Sequence, residues 1–464
     1  MPLVLQLFTD RSSHSYGETH DFLAARCDLT NENIRKTLSP KLRITWAGRV
    51  AKTWNGLKNF GLTHLVEEGV AEITDFGSKV AEDNPVMITK SYLSKNYPEF
   101  SCSDSRICLE KIEKEARLSL PPVAAKLSAI GAIADENLLC DPRDVPVWFG
   151  TNRKPLNTGN PKKGFSVERD TVTHFGRVIV NIPEGHKVGG QSFIKRLVKG
   201  TPGLVLRSID PLPEDIFWDS VRASLATKVE ENSLLFFLHG FNQTFEQAAI
   251  RAAQLKYDLK IPHAAFYSWP SRAHFAEYMA DGTSIEAAVP HIAEFLTRLV
   301  EVAGSQKLKL HVIAHSMGSR GLLLALERML ALQKGSPSSF TIDDVIFAAA
   351  DVDRERFVDC VSLTNSLSNR RTLYASQKDM ALALSRQGNK MIRAGHLPPV
   401  TIAPDTDTID VLDFDLGDLG HSYFVGARKV LGDMHDSMHH GTPVKNRFGI
   451  VEQKTPGGSY WRLT

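Results

Sequence analysis

Ala314-His315-Ser316-Met317-Gly318 is the stretch of this 464-residue chain whose residue types and spacing suit nucleophilic chemistry. A serine with small residues two before and two after fits a sharp turn from strand into helix, where larger side chains would clash and the hydroxyl stands exposed. Leu308, Leu310, Val312 and Ile313 precede it as the apolar run that a strand covered on both faces needs. Leu322, Leu323, Ala325, Leu326 and Leu330 follow at helical spacing. The usual pattern has glycine where Ala314 stands, a departure of one methyl group. Ser-x-Gly also occurs by chance, and a serine between strand and helix is often only a helix cap.

A serine nucleophile needs a base, and the base needs an acid to hold its tautomer. In a strand-turn-helix setting the expected chain order is Ser, then Asp or Glu, then His. Asp379, after the strand TLYAS, and His421, after the strand TIDVLDF, meet that order. Asp379 also reads as the N-cap of MALALSR. Asp351, ending DDVIFAAADVD with Asp353 close behind, is the alternative acid. His421 lies between Gly420 and Ser422, and His396, His435, His439 and His440 compete with it. His435 and His439 lie one turn apart beside Asp436; that spacing can hold a metal but more often marks a solvated face. No metal or other cofactor is expected. The tetrahedral oxyanion requires two backbone N–H groups. Met317, after the nucleophile, supplies one, and the loop His239-Gly240-Phe241-Asn242 after LLFFL supplies the other through Phe241. His239-Gly240 is otherwise a plain turn.

Composition bounds the rest. A 42% hydrophobic and 23% charged chain of this length fits two or three ordinary globular domains. A net charge of +2 argues neither for nor against nucleic acid. Five scattered cysteines without a C-x-x-C point to reduced thiols. MPLVLQLFTDRSS lacks a basic start and Gln6 interrupts its apolar run, so no signal peptide is read there. No window approaches the ~20 apolar residues of a membrane span. The expected location is the cytoplasm.

Along the chain, residues 1–30 form a polar segment with no assignable role. Residues 31–100 read as a small unit. Arg35, Lys36, Lys41, Arg43, Arg49, Lys52 and Lys58 are basic, and no acid falls between Asn33 and Val66. Ile44, Ala47, Val50, Ala51, Trp54 and Leu57 give the same stretch an apolar helical face. VEEGVAEITDFG then reads as two strands around a turn, with a helix around Ser78 to Glu82. Helix, helix, hairpin is the order of a winged helix. The run ITWAGRVAKTWNGLKNFGLTHLVEEGVAEITDFGSKVAEDNP, closed by PEF, resembles the N-terminal winged-helix domain of Mrr-type restriction endonucleases. The resemblance implies contact with DNA, through Arg43, Arg49, Lys52 and Lys58, or docking of a protein partner. Residues 101–144 read as a linker with some helix.

Residues 145–464 alternate strands and helices, as in a doubly wound, mostly parallel sheet. VPVWFGTNRKP reads as an edge strand, TIDVLDF as the last strand, and Pro290 as lying near the start of the helix SIEAAVPHIAEFLTRLVEVA. Trp269, Tyr267 and Phe245 suit either an apolar acyl pocket or the core. VWFGTNRKP, FLHGFNQTFEQAAIRAAQLKYDL, FYSWPS, VIAHSMGSR, FAAADVD, LYASQKDMALALSR and GHSYF, in that order over about 145–435, resemble a large, poorly characterised bacterial family of α/β-hydrolases. That family's elbow reads A-H-S-M-G, which accounts for Ala314, and for His315 and Gly318 around the serine. The resemblance implies an α/β-hydrolase fold with Ser316 as nucleophile and His421 as base. The expected activity is cleavage of an ester, thioester or amide of a small-molecule or lipid-like acyl substrate. The alternative is a non-catalytic regulator that binds nucleic acid or protein through its winged helix, such as a component of a bacterial defence system.

Overall fold

The computed structural model describes residues 7–8, 12–15, 18–19, 57, 62–67, 70–83, 141, 143–157, 160–189, 203–226, 233–272, 277–332, 341–389, 391–411 and 423–464. The chain divides into two units, Met1–Ala125 and Lys126–Thr464. In the first unit, β1 (His14–Ser15), β2 (Thr63–Glu67) and β3 (Val70–Ile73) form an antiparallel sheet in the order β1-β3-β2. Helix α1 (Asp75–Glu82) follows and starts earlier than its sequence suggests, because the Thr74 hydroxyl accepts the Gly77 N–H at 2.9 Å and caps it. The expected hairpin is therefore present. Arg43, Arg49, Lys52 and Lys58, and the helix expected to carry them, lie outside the described residues.

The second unit is built on an eleven-stranded sheet. Its strands are β4 (Asp144–Pro155), β5 (Phe165–Asn181), β6 (Val205–Leu212), β7 (Ser233–Leu238), β8 (His263–Ser268), β9 (Lys309–His315), β10 (Ile342–Ala348), β11 (Ser368–Ala375), β12 (Asp407–Val411), β13 (Ile450–Thr455) and β14 (Gly458–Leu463). They lie in the order β13-β14-β12-β11-β10-β9-β7-β8-β4-β5-β6. Pairing is parallel from β14 through β4 and antiparallel at both ends. The helices are α2 (Glu214–Leu225), α3 (Phe245–Asp258), α4 (Tyr278–Ser305), α5 (Met317–Leu332), α6 (Arg354–Leu363), α7 (Met380–Asn389), α8 (Tyr423–Gly426) and α9 (Arg428–His440).

Side chains alternate across this sheet and feed two cores. Leu234, Phe236 and Leu238 of β7 pack on one face with α2, α4, α5 and α6. Leu235 and Phe237 pack on the other with α3 and α9. All six residues of β7 are buried for that reason, and the strand reads as a continuous apolar run. Among the described residues no helix is long and apolar enough to cross a membrane.

Three expectations change. The strand VPVWFGTNRKP is interior, between β8 and β5, because β5 and β6 extend the sheet beyond it. TIDV is not the last strand either. The hairpin β13–β14 closes the far edge, with β14 parallel to β12. Pro290 lies well inside α4, which begins at Tyr278. The helix extends back through Asp281 and Gly282 because burial of Asp281, Gly282 and Ile285 outweighs the weak helix preference of Asp and Gly.

At the end of the parallel strands where β9 and β10 begin, one buried carboxylate ties four elements. Asp344 of β10 is 2.7 Å from His311 Nδ1 and accepts two bonds of 2.8 Å from Arg370 and one of 2.9 Å from Ser437 of α9. Burial works to raise its pKa, but the hydrogen bonds from His311 and Arg370 outweigh burial and bring it down to about 2. A carboxyl more acidic in the folded than in the unfolded chain stabilises the fold above its unfolded pKa, here near 3.8, and loses that contribution as pH falls towards 2. Urea denaturation should therefore show the wild type losing roughly 2 kcal/mol over that window which Asp344→Asn, already destabilised at neutral pH, does not lose.

Candidate active site

Ser316 occupies the turn between β9 and α5 with φ 52°, a left-handed conformation that a residue with a side chain adopts only under constraint. The constraint is visible on both sides of its peptide. Its N–H donates to the Ala348 carbonyl of β10 at 2.9 Å. Its carbonyl accepts the N–H groups of Ser319 at 3.0 Å and Asp351 at 3.2 Å. Gly318 is needed because a Cβ there would sit 2.4 Å from the His239 carbonyl oxygen and 2.7 Å from that of Leu238. Gly240 is needed because a Cβ there would sit 2.7 Å from the Ser316 Cβ. The turn after β7 and the turn after β9 thus touch backbone to backbone, bringing Gly240 and Phe241 beside Ser316 and Met317. Met317 is the first residue of α5, where helix N–H groups have no intrahelical acceptor.

The loop after β7 is held from below by Arg153 of β4, a fully buried side chain. Its Nε donates to Ser268 Oγ at 2.9 Å, and its terminal nitrogens donate to the carbonyls of Gln243 at 2.8 Å, Ser271 at 3.1 Å and Ser166 at 3.3 Å. Burial lowers its pKa to about 9, and the charge of Asp281 opposes that fall. The Ser268 hydroxyl lies 3.3 Å from Nε2 of His239, whose Nδ1 donates to the Gly240 carbonyl at 2.8 Å. Burial drives the His239 pKa down to about 3, so the imidazole is neutral and serves as a spacer for the loop. Trp269 stacks on it with ring centroids 5.1 Å apart and donates its indole N–H to the His239 carbonyl at 2.8 Å. Sequence reading passed over Arg153, Ser268 and Ser271 as site residues, although all three lie in the motifs TNRKP and SWPS.

The two acids differ in what they already bond. Asp379 is fully buried and one oxygen accepts the Leu382 N–H at 2.9 Å, capping α7. Asp351 accepts from Tyr278 Oη and from Ser385 Oγ, each at 2.7 Å, on different oxygens, and lies 3.3 Å from Arg393 Nε. Tyr278 packs edge-on against Phe241 with centroids 5.3 Å apart, so the Asp351 cluster also braces the loop after β7. Neither Tyr278 nor Arg393 carried a sequence signal.

His421 lies outside the described residues. Phe424, three positions later, is buried and stacks on His315 with centroids 4.4 Å apart. Among the competing histidines, the pKa of His396 is lowered by burial, partly offset by the charge of Asp379, and its buried Nδ1 has no hydrogen-bond partner among the described residues. His435 and His439 stack on each other on α9 with centroids 4.0 Å apart. No group of three or more metal-ligating side chains occurs among the described residues. Trp269, Tyr267 and Phe245 are core residues, each at most 2% exposed.

Removing the Arg153 fork would strand the buried Ser271 carbonyl and the part-buried carbonyls of Gln243 and Ser166. Arg153→Met should cost more than about 3 kcal/mol in urea denaturation, and Arg153→Lys, which cannot fork, should recover little of it.

Residues 218–434 match the family model described as "Alpha/beta hydrolase of unknown function (DUF900)". No curated protein matches the chain. The mostly parallel sheet, the elbow at Ser316 and this match together identify the second unit as an α/β-hydrolase fold.

Proposed function

We propose that the second unit is a serine hydrolase acting on carboxylic esters or the related thioesters and amides. The observation that carries this reading is the left-handed Ser316 with Gly240 seated against its Cβ. That conformation is costly for a serine and serves to present its hydroxyl. In the proposed reaction Ser316 Oγ attacks the acyl carbon while His421 takes its proton. The N–H groups of Phe241 and Met317 receive the developing oxyanion. His421 returns the proton to the departing alcohol, thiol or amine as the acyl–heteroatom bond breaks. Water then attacks the acyl-serine, His421 again carrying the proton, and the products are a carboxylic acid and free Ser316.

Two further observations support the residue roles. Phe424 stacked on His315 anchors the chain three residues from His421, and three residues reach at most ~10 Å. Both oxygens of Asp351 are engaged by Tyr278 and Ser385, which favours Asp379 as the acid that orients the histidine. A fluorophosphonate probe should label the wild type stoichiometrically by intact mass and leave Ser316→Ala untouched. Ester turnover in that variant should fall by roughly 10⁶, the loss seen on removing the nucleophile of a serine protease. A folded wild type that resists labelling would favour the non-catalytic regulator instead.

The N-terminal unit is read as a docking module for duplex DNA. The supporting observation is the run of seven basic residues, Arg35 to Lys58, uninterrupted by acid. The full chain should bind a labelled duplex at 50 mM salt and release it by 200 mM. Neutralising Arg43, Arg49, Lys52 and Lys58 together should flatten the log K against log salt slope by about 0.9 per lost contact. Absence of binding at the lower salt would leave a protein partner as the ligand of this unit.

A further inference from the structure

A cavity of about 250 Å³ opens beside the elbow, walled by Leu323 and Leu324 of α5, by Asp351, and by Met391 and Arg393 from the segment after α7. It lies one residue from the nucleophile's own peptide, since the Asp351 N–H binds the Ser316 carbonyl. Arg393 is fixed there by its backbone. Ala394 N–H donates to the Val352 carbonyl at 2.9 Å, Gly395 N–H to that of Ala350 at 3.0 Å, and Arg354 N–H to that of Ile392 at 2.9 Å.

Arg393 is 7% exposed as a residue, and its side chain donates no hydrogen bond to any acceptor among the described residues, with Nε buried. Its Nε is 3.3 Å from Asp351 but is not aligned to donate to it. Other buried arginines behave differently. Arg153 makes four side-chain hydrogen bonds, Arg371 bonds Val361 and Asn365, and Arg447 bonds Thr442 and Asp433. The Asp351 carboxylate balances the charge of Arg393 from the Nε side but leaves the fork of terminal nitrogens without an acceptor among the described residues, and a planar anion in the cavity would supply one. The other charges on the cavity wall are committed. Arg320 pairs with Glu286, Arg356 pairs with Glu327, and Asp353 caps α6. Asp351 already accepts from Tyr278 and Ser385.

We propose that this cavity receives an anionic group, carboxylate or phosphate, at the end of the substrate remote from the scissile carbonyl, with Arg393 as the residue that recognises it. The inference deepens the serine-hydrolase reading and rests on it for the word substrate. At the small end of ligand sites, which run ~300–1,000 Å³, the cavity suits a short acidic chain along Leu323, Leu324 and Met391 and not a lipid tail.

The test uses a matched pair of esters, p-nitrophenyl methyl glutarate and its free acid, which differ in one charge. Wild type should favour the acid in kcat/KM by about tenfold or more, chiefly through KM, and the ratio should fall towards one in Arg393→Gln and partly recover in Arg393→Lys. Independently of turnover, inorganic phosphate and glutarate should each bind saturably to Ser316→Ala by calorimetry, and the tighter of the two identifies the anion. Should Arg393→Gln fail to fold, the wild-type ratio and this binding still decide. Equal turnover of both esters overturns the substrate assignment whether or not anions bind, and leaves the hydrolase reading intact. Saturable anion binding with no turnover of either ester does the reverse: it supports the anion pocket and sinks the hydrolase.

Discussion

Two loops of the second unit approach so closely that no side chain fits between them, and the site follows from that contact. A Cβ on Gly318 would collide with the carbonyls that end β7, and a Cβ on Gly240 would collide with Ser316 itself. Because β7 and β9 are hydrogen-bonded neighbours in the sheet, their two turns emerge side by side. Ser316 is then held left-handed between the end of β10 and the first turn of α5. A strained residue persists only where its surroundings over-determine it, and here three strands and a helix do so.

The second support is electrostatic and steric at once. Arg153 enters from β4, two strands away from β7, and its fork reaches carbonyls on the loops after β7 and β8 and at the start of β5. Burying a guanidinium is costly, and the four hydrogen bonds that Arg153 donates offset that cost. His239, neutral and sandwiched between Ser268 and Trp269, passes that rigidity to Gly240. On the opposite side, Asp351 links Tyr278, Ser385 and the Ser316 carbonyl. A carboxylate that sequence alone left open as the triad's acid is thus a junction between α4, α7 and the elbow.

Local sequence carried the elements whose cause is local. The strand LHVIAH and the helix after Ser316 announce themselves by apolar run and helical period, and the N-cap reading of Asp379 needed only the residues that follow it. Elements with a distant cause were missed. The strands β6, β13 and β14 lie at the sheet margins, where half-exposed residues dilute the pattern. The first turns of α4 depend on Asp281 meeting Ser271 and the Arg272 N–H, partners that local propensity does not contain. Trp269 and Tyr267, which suited an acyl pocket by type, are core because β8 is covered on both faces.

By itself the sequence determined the elbow, the alternation of strands and helices and the chain order of Ser316, Asp379 and His421, because each is a matter of spacing along one chain. Only the tertiary structure decided which polar groups are consumed by the scaffold and which remain for a ligand. Arg153 and Arg393 are the same residue type in the same fold. One finds four hydrogen-bond acceptors up to 118 positions away, the other has among the described residues only the Asp351 carboxylate beside it, and no property of either position along the chain distinguishes them. Hydrogen-bond satisfaction is a property of what the fold brings within about 3 Å, and that is set by packing.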